Sequence, residues 1–401
     1  MISKFQKNFS VVKASRLWWL MLITTSILVL AFGASLIYFM VKRWVFSDYW
    51  GHLDLYTLFN QYGKIIYPPL YYWTYDLLDK VLWYKFDYLL STILILSFSI
   101  FFKYLLTFRY ILNPKGNYSF FTYLIPLGLL LFFPIYLFDF EGEYQYLGKF
   151  TSSIWHNCTS TFVWPLCILL FYFTIRWIRN DGNKHYFLLW ILGVLICLAK
   201  PSFLFAYIPS LPIILLVQRA EKKKLLNALA LVFGLLLLIF GAKLMVYNFG
   251  NMDAVIVPGA EKNKVIIDFF GVWNHYLENP FLDVLSSFAF LFYVLLVYWK
   301  FLVTSVEFRF SLLLTLVGLA VFFVLAESGY RYADMNFYWQ VPLTLYILYM
   351  VILKIIIDEM VLHPGNSTEK IKLKILGILF LAHVASGIHY IVNYLMSGYY
   401  F

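Results

Sequence analysis

The stretch LLWILGVLICLAKPSFLFAYIPSLPIILLV, residues 188–217, is apolar almost throughout and is interrupted at Lys200-Pro201-Ser202. Read as one helix, residues 186–218 would run ~50 Å, far beyond a hydrocarbon core of ~30 Å. Read as two halves of ~15 residues, each half is short for a crossing. The flanking charges decide between them. Arg176, Arg179 and Lys184 precede the segment and Arg219, Lys222, Lys223 and Lys224 follow it, so the positive-inside rule places both ends in the cytoplasm. The segment therefore crosses an even number of times, and Lys200-Pro201 turns at or near the outer surface.

The rest of the chain continues this pattern. Of 401 residues, 62% are hydrophobic and only 13% charged, a balance that excludes a water-soluble domain. Apolar runs place helical spans near 17–41, 88–112, 119–138, 160–177, 186–199, 203–218, 225–247, 281–299, 310–326, 338–357 and 373–395. These runs are apolar on all sides, whereas barrel strands would alternate over ~10 residues. The expected fold is an all-α polytopic membrane protein of about eleven transmembrane helices, a single integral-membrane domain covering residues 1–401. The first run, Leu17 to Val41, is too long for a signal peptide and lacks a small-residue cleavage site, so it is read as a retained span.

With the amino terminus inside, the cytoplasmic segments and span ends hold 20 of the 31 Lys and Arg but 6 of the 21 Asp and Glu. The basic excess is thus an orientation signal and implies no nucleic acid. Outer loops fall at about 42–87, 139–159, 248–280 and 327–337, and the carboxy terminus lies outside. Chemistry has to be built from these loops and from the outer ends of helices. Short loops and the lack of a retention signal point to a bacterial inner membrane. Cys158, Cys167 and Cys197 form neither a disulfide framework nor a metal spacing.

The first outer loop, FSDYWGHLDLYTLFNQYGKIIYPPLYYW (46–73), carries Asp48, His52 and Asp54 just beyond a span. Asp48 and His52 are four residues apart and share a face if the loop is helical, with Asp54 pointing elsewhere. Desolvation beside a bilayer makes a carboxylate more basic, as a general base near neutral pH requires. The competing reading is an interfacial helix whose polar face meets water. The second outer loop, DFEGEYQYLGKFTSSIWHNCTS (139–160), adds Asp139, Glu141, Glu143, His156 and Asn157. Its acids suit a divalent cation or sugar hydroxyls, or are simply solvated. His156 and Asn157 stand directly before a span, where polar groups need partners or a wet cavity.

Two cations complete the outer set. Lys200 has no neighbouring acid in sequence, while Arg331, in ESGYRYADMNFYWQ (327–340), has Glu327 and Asp334 nearby. Both are candidates to clamp a lipid-linked phosphate. His383 and His389 belong to the last span and are assigned no chemistry.

SDYWGHLD after the first span, the following YPPLYYW, the short hairpin broken at AKPSF and the many-span topology resemble the GT-C superfamily. Its members are integral-membrane glycosyltransferases that use polyprenyl-phosphate-linked sugars. The resemblance covers the whole chain in architecture and a few residues in each of four places in motif. It implies a first-loop acid, by position Asp48, as catalytic base, and juxtamembrane helices within Tyr56 to Trp73. It also implies a polyprenyl-phosphate-linked sugar donor. The missing carboxy-terminal outer domain of the protein-modifying branches favours a glycan or lipid acceptor. Asp54 does not stand directly beside Asp48, which departs from the protein-O-mannosyltransferase kind of site. No cofactor is implied, and family members vary in whether they need a divalent metal.

Two other functions compete. An O-antigen or capsule polymerase or ligase, acting on polyprenyl-pyrophosphate glycans, shares many spans and outer cations but relies on arginines in one large outer loop. Here the three long outer loops contain only Arg43. A transporter or flippase would place polar groups at mid-membrane and show broken helices in two matching halves; this chain has one broken hairpin and no internal repeat.

Overall fold

The computed structural model describes residues 15–42, 45–61, 68–82, 89–116, 118–137, 147–179, 183–245, 264–362 and 367–399. Its helices are α1 (Arg16–Val41), α2 (Tyr49–Gln61), α3 (Leu70–Val81), α4 (Leu89–Ile111), α5 (Phe120–Leu130), α6 (Cys158–Arg179), α7 (Asn183–Ala199) and α8 (Ser202–Val217). They continue as α9 (Lys222–Leu244), α10 (Gly271–Tyr276), α11 (Pro280–Leu302), α12 (Val306–Val324), α13 (Gln340–Leu362) and α14 (Ser367–Ser397). Among the described residues, eight helices are long and apolar enough to cross a membrane, and α5, α7 and α8 are shorter apolar helices. The protein is an all-α, multi-pass membrane protein. One small antiparallel ribbon, β1 (Val265–Ile267) with β2 (Leu325–Glu327), joins the ends of two connections.

Local sequence explains where the helices begin. Ser15, Ser119, Asn279 and Ser305 accept a hydrogen bond from the backbone N–H three residues on, satisfying a donor that would otherwise be orphaned. Pro280 follows Asn279 at the first helical position, where a missing N–H does no harm.

Burial sorts the helices. α13 is buried along nearly its whole length and forms the centre of the bundle, as suits a helix apolar all round. By contrast α9 is mostly exposed and turns Leu226, Phe233, Leu237 and Phe240 outward. That surface is favourable only in lipid.

The span expected at 119–138 is helical only to Leu130 and has no regular secondary structure from Phe132 to Leu137. Pro134 is the reason: it lacks an N–H and disfavours helical geometry at Phe133. Backbone leaving a helix inside apolar surroundings needs other partners. They come from α11 and α14: the N–H groups of Phe133, Ile135 and Tyr136 donate to His383 O, Ser286 O and Ser386 Oγ. His383 also packs flat on Phe132, and its Nδ1 lies 2.7 Å from the Phe133 carbonyl oxygen. It is a structural histidine.

Gly387 makes this packing possible, because a Cβ there would stand 1.6 Å from the Leu131 carbonyl oxygen. Gly387→Leu should therefore destabilise the protein by at least the ~1–3 kcal/mol of a moderate overpacking. A thermal melt in detergent that is unchanged by the substitution would remove this account.

Polar contacts gather the connections into two ends. At one end Asp48 meets His156, Lys200 meets Asn157, Tyr338 meets Lys149, Trp273 meets Gly148, and Phe46 meets Gly398. At the other, Trp18 meets Leu112, Arg179 meets Glu307, Lys224 meets Ile178, and Tyr293 meets Lys372.

Candidate functional site

The first connection after α1 is fixed to the segment entering α6. The Asp48 N–H donates to His156 O at 3.2 Å, and the Cys158 N–H donates to Asp48 Oδ1 at 3.0 Å. Tyr49 adds a bond from its hydroxyl to Trp155 O at 2.9 Å. Asp48 thus caps a free N–H of α6 from a distant part of the chain. Asn157 caps the same helix conventionally, accepting from the Ser160 N–H at 2.9 Å. This explains the polar residues before an apolar span.

α2 begins at Tyr49 and carries His52 one turn beyond Asp48, so Nε2 lies 3.6 Å from Asp48 Oδ2. The other ring nitrogen, Nδ1, pairs with the Tyr72 hydroxyl of α3. α3 buries Tyr71, Tyr72, Tyr75 and Asp79 and exposes Trp73, Leu77 and Val81. That division suits a helix lying at an interface between protein and lipid.

Lys200 stands between α7 and α8 and is half-buried. Its Nζ donates to Asn157 Oδ1 and Thr159 Oγ1, both at 2.9 Å, and lies 4.7 Å from the ring centre of Trp339. Burial pulls its ammonium down to about 8, with Asp48 opposing. The amine is held in one place and remains charged at neutral pH. His156 is deeply buried, and burial pushes its imidazole down to about 4, against Asp48 and with Lys200. It is neutral under ordinary conditions.

A cavity of about 1430 Å³ unites these groups. Asp48, His52, Tyr72, His156, Asn157, Thr159 and Lys200 line one part. Arg331 lines another, carried on the 3₁₀ helix Gly329–Asp334 together with Asp334. Burial raises Asp334 to about 6, with Arg331 lowering it and Glu327 raising it. A third part is apolar, formed by Phe205, Ile208 and Pro209 of α8 and Leu236 and Ile239 of α9. Leu236 belongs to the exposed face of α9, so the cavity adjoins the surface that faces lipid.

The expected residues Asp48, His52, His156, Asn157, Lys200 and Arg331 therefore line one cavity. Asp54 lies on the exposed side of α2 and is not part of the lining. Asp139, Glu141 and Glu143 fall outside the described residues. Sequence reading missed Tyr72, Thr159, Lys243 and Trp339, all of which line the cavity. It also set aside Cys158, whose sulfur lies with Asp48 and His52 in a group with ligand atoms within 4.8 Å of one another. The Asn157 cap was a usable signal for the start of α6, whereas nothing in sequence marks Trp339 as a neighbour of Lys200.

Compared with family models, curated proteins and solved structures, the chain matches none of them.

Proposed function

We propose that this protein is a membrane glycosyltransferase of GT-C type. It moves a sugar from a polyprenyl-phosphate-linked donor to a glycan or lipid acceptor at the outer face of a bacterial inner membrane. The observation that carries this reading is the joining of an apolar wall beside lipid to a polar chamber holding Asp48 and Lys200 in one cavity. A donor of this kind keeps its tail in lipid and its reacting carbon at the interface, and needs both halves together.

In this reading Asp48 takes the proton of the acceptor hydroxyl, and His52 orients or tunes the acid. Lys200 and Arg331 steady the departing phosphate as negative charge develops on it. Asn157 and Thr159 aim the Lys200 amine, and His156 remains a neutral polar wall.

The test uses the purified chain with polyprenyl-phosphate-linked hexoses and glycan or lipid acceptors, following release of polyprenyl phosphate. Turnover confined to pyrophosphate-linked glycans would favour the polymerase or ligase instead. Absence of turnover, and of binding, with both donor classes would leave the enzyme reading without support.

The proposed orientation has eleven crossings, with the cavity end outside and the end carrying Arg179 and Lys224 in the cytoplasm. Lys264 and Lys223 are exposed at opposite ends, and the native cysteines are buried. Lys264→Cys should react with an impermeant thiol reagent on intact cells, and Lys223→Cys only after permeabilisation. The reverse pattern would invert the topology.

A further inference from the structure

We propose that Asp48, His52 and Cys158 form a three-ligand site for a zinc-class divalent cation, its fourth coordination position open to the cavity. The site goes beyond the glycosyl-transfer reading and does not depend on it, because cation binding is read out directly.

The spacing of the three groups suits a metal ion. Asp48 Oδ2 and His52 Nε2 are 3.6 Å apart, too far for a hydrogen bond. Two atoms each ~2.0–2.1 Å from a tetrahedral zinc stand ~3.4 Å from one another, close to that spacing. With the cysteine sulfur included, the three ligand atoms stay within 4.8 Å of each other.

Each ligand is also aimed. Asp48 Oδ1 is engaged by the Cys158 N–H at 3.0 Å, which leaves Oδ2 as the oxygen on the His52 side. Tyr72 occupies His52 Nδ1, so Nε2 is the nitrogen presented to Asp48. A partner on the far nitrogen is the usual outer-shell device that fixes the orientation of a metal-binding histidine. The same Asp48–Cys158 hydrogen bond pins the start of α6 and with it the cysteine. Cys158 is fully buried, whereas Asp48 and His52 keep 30% and 24% of their side-chain surface exposed and line the cavity. The side left open is therefore the cavity side.

The donor set selects the metal. One sulfur, one imidazole nitrogen and one carboxylate oxygen suit zinc or cobalt and not magnesium or calcium, which prefer oxygen alone. Three protein ligands with a vacant fourth position is the arrangement of catalytic zinc, and a water or substrate oxygen bound there becomes more acidic.

The experiment uses the full chain in detergent, stripped with chelator and titrated with Co²⁺ alone and then with Zn²⁺. Wild type should develop a thiolate-to-cobalt charge-transfer band that Zn²⁺ abolishes. Cys158→Ser should lose the band, while Cys167→Ser, at another buried free cysteine, keeps it. Tyr72→Phe should retain the band with affinity ~10–100-fold weaker, as outer-shell losses are. His52→Ala should weaken Zn²⁺ binding by more than that. The proposal is overturned if folded wild type shows no thiolate band, or if the band survives in Cys158→Ser. Should Cys158→Ser fail to fold, unchanged Zn²⁺ affinity in His52→Ala overturns it equally.

Discussion

Asp48→Asn is expected to lower turnover by ~10²–10⁴-fold, the usual loss when a general base is removed, with much smaller change in donor affinity. The fold should tolerate it, because an asparagine oxygen can still accept the Cys158 N–H now held by Asp48 Oδ1 at 3.0 Å. The amide cannot take a proton from the acceptor. Assays on chelator-treated protein report this loss apart from any cation at the same residues. His52→Ala serves as the comparison: a smaller loss means that the histidine orients the acid, and a larger one means that it is the base. Near-wild-type turnover of Asp48→Asn with a polyprenyl-phosphate-sugar donor would refute the assignment even if glycosyl transfer survived.

Much of the scaffold was legible because membrane insertion writes itself into sequence as long apolar runs. Every expected span has a helix within it. The hairpin break at Lys200-Pro201 falls between α7 and α8 because proline and charge together leave the apolar pattern. The interruption after Leu130 was harder to see. Phe132, Phe133 and Ile135 are as apolar as a span requires, and the groups that take the N–H bonds of Phe133, Ile135 and Tyr136 come from His383, Ser286 and Ser386, far along the chain. The central position of α13 was equally hidden, since a helix apolar all round reads the same in lipid as in a protein core.

The site was legible in part for a related reason. Asp48, His52 and Lys200 are polar where the chain is otherwise apolar, and such residues stand out near a membrane. Cys158 did not stand out, because a buried cysteine resembles any small apolar residue until its neighbours are known. Its neighbours Asp48 and His52 lie more than a hundred positions earlier. Trp339 and Thr159 were missed likewise: their contact with Lys200 depends on α6, α7 and the start of α13 meeting at one end.

Lys200→Met should weaken donor binding by on the order of 30-fold or more, the lower end of the loss when one partner of a desolvated charge pair is truncated. Its amine is pre-aimed by Asn157 and Thr159 and rests near Trp339, so little ordering remains to be done when a phosphate arrives. A structural role predicts something different. Methionine removes a charge that lost hydration on folding, and Asn157 Oδ1 keeps its bonds from the Ser160 N–H and the Thr159 hydroxyl. The melting midpoint should stay at or above that of wild type, whereas a structural lysine would lower it. The pH profile gives a second check. Burial holds Lys200 at about 8, so the ammonium and its attraction for an anion are present below that pH and are lost as pH rises through it. A phosphodiester has no proton to lose in that range, and Arg331 stays charged throughout. Donor affinity of metal-free wild type should therefore decline between roughly pH 7 and 9 to a residual level supported by Arg331. Lys200→Met should begin near that level and stay flat, and a parallel decline in the variant would assign the titration to another group.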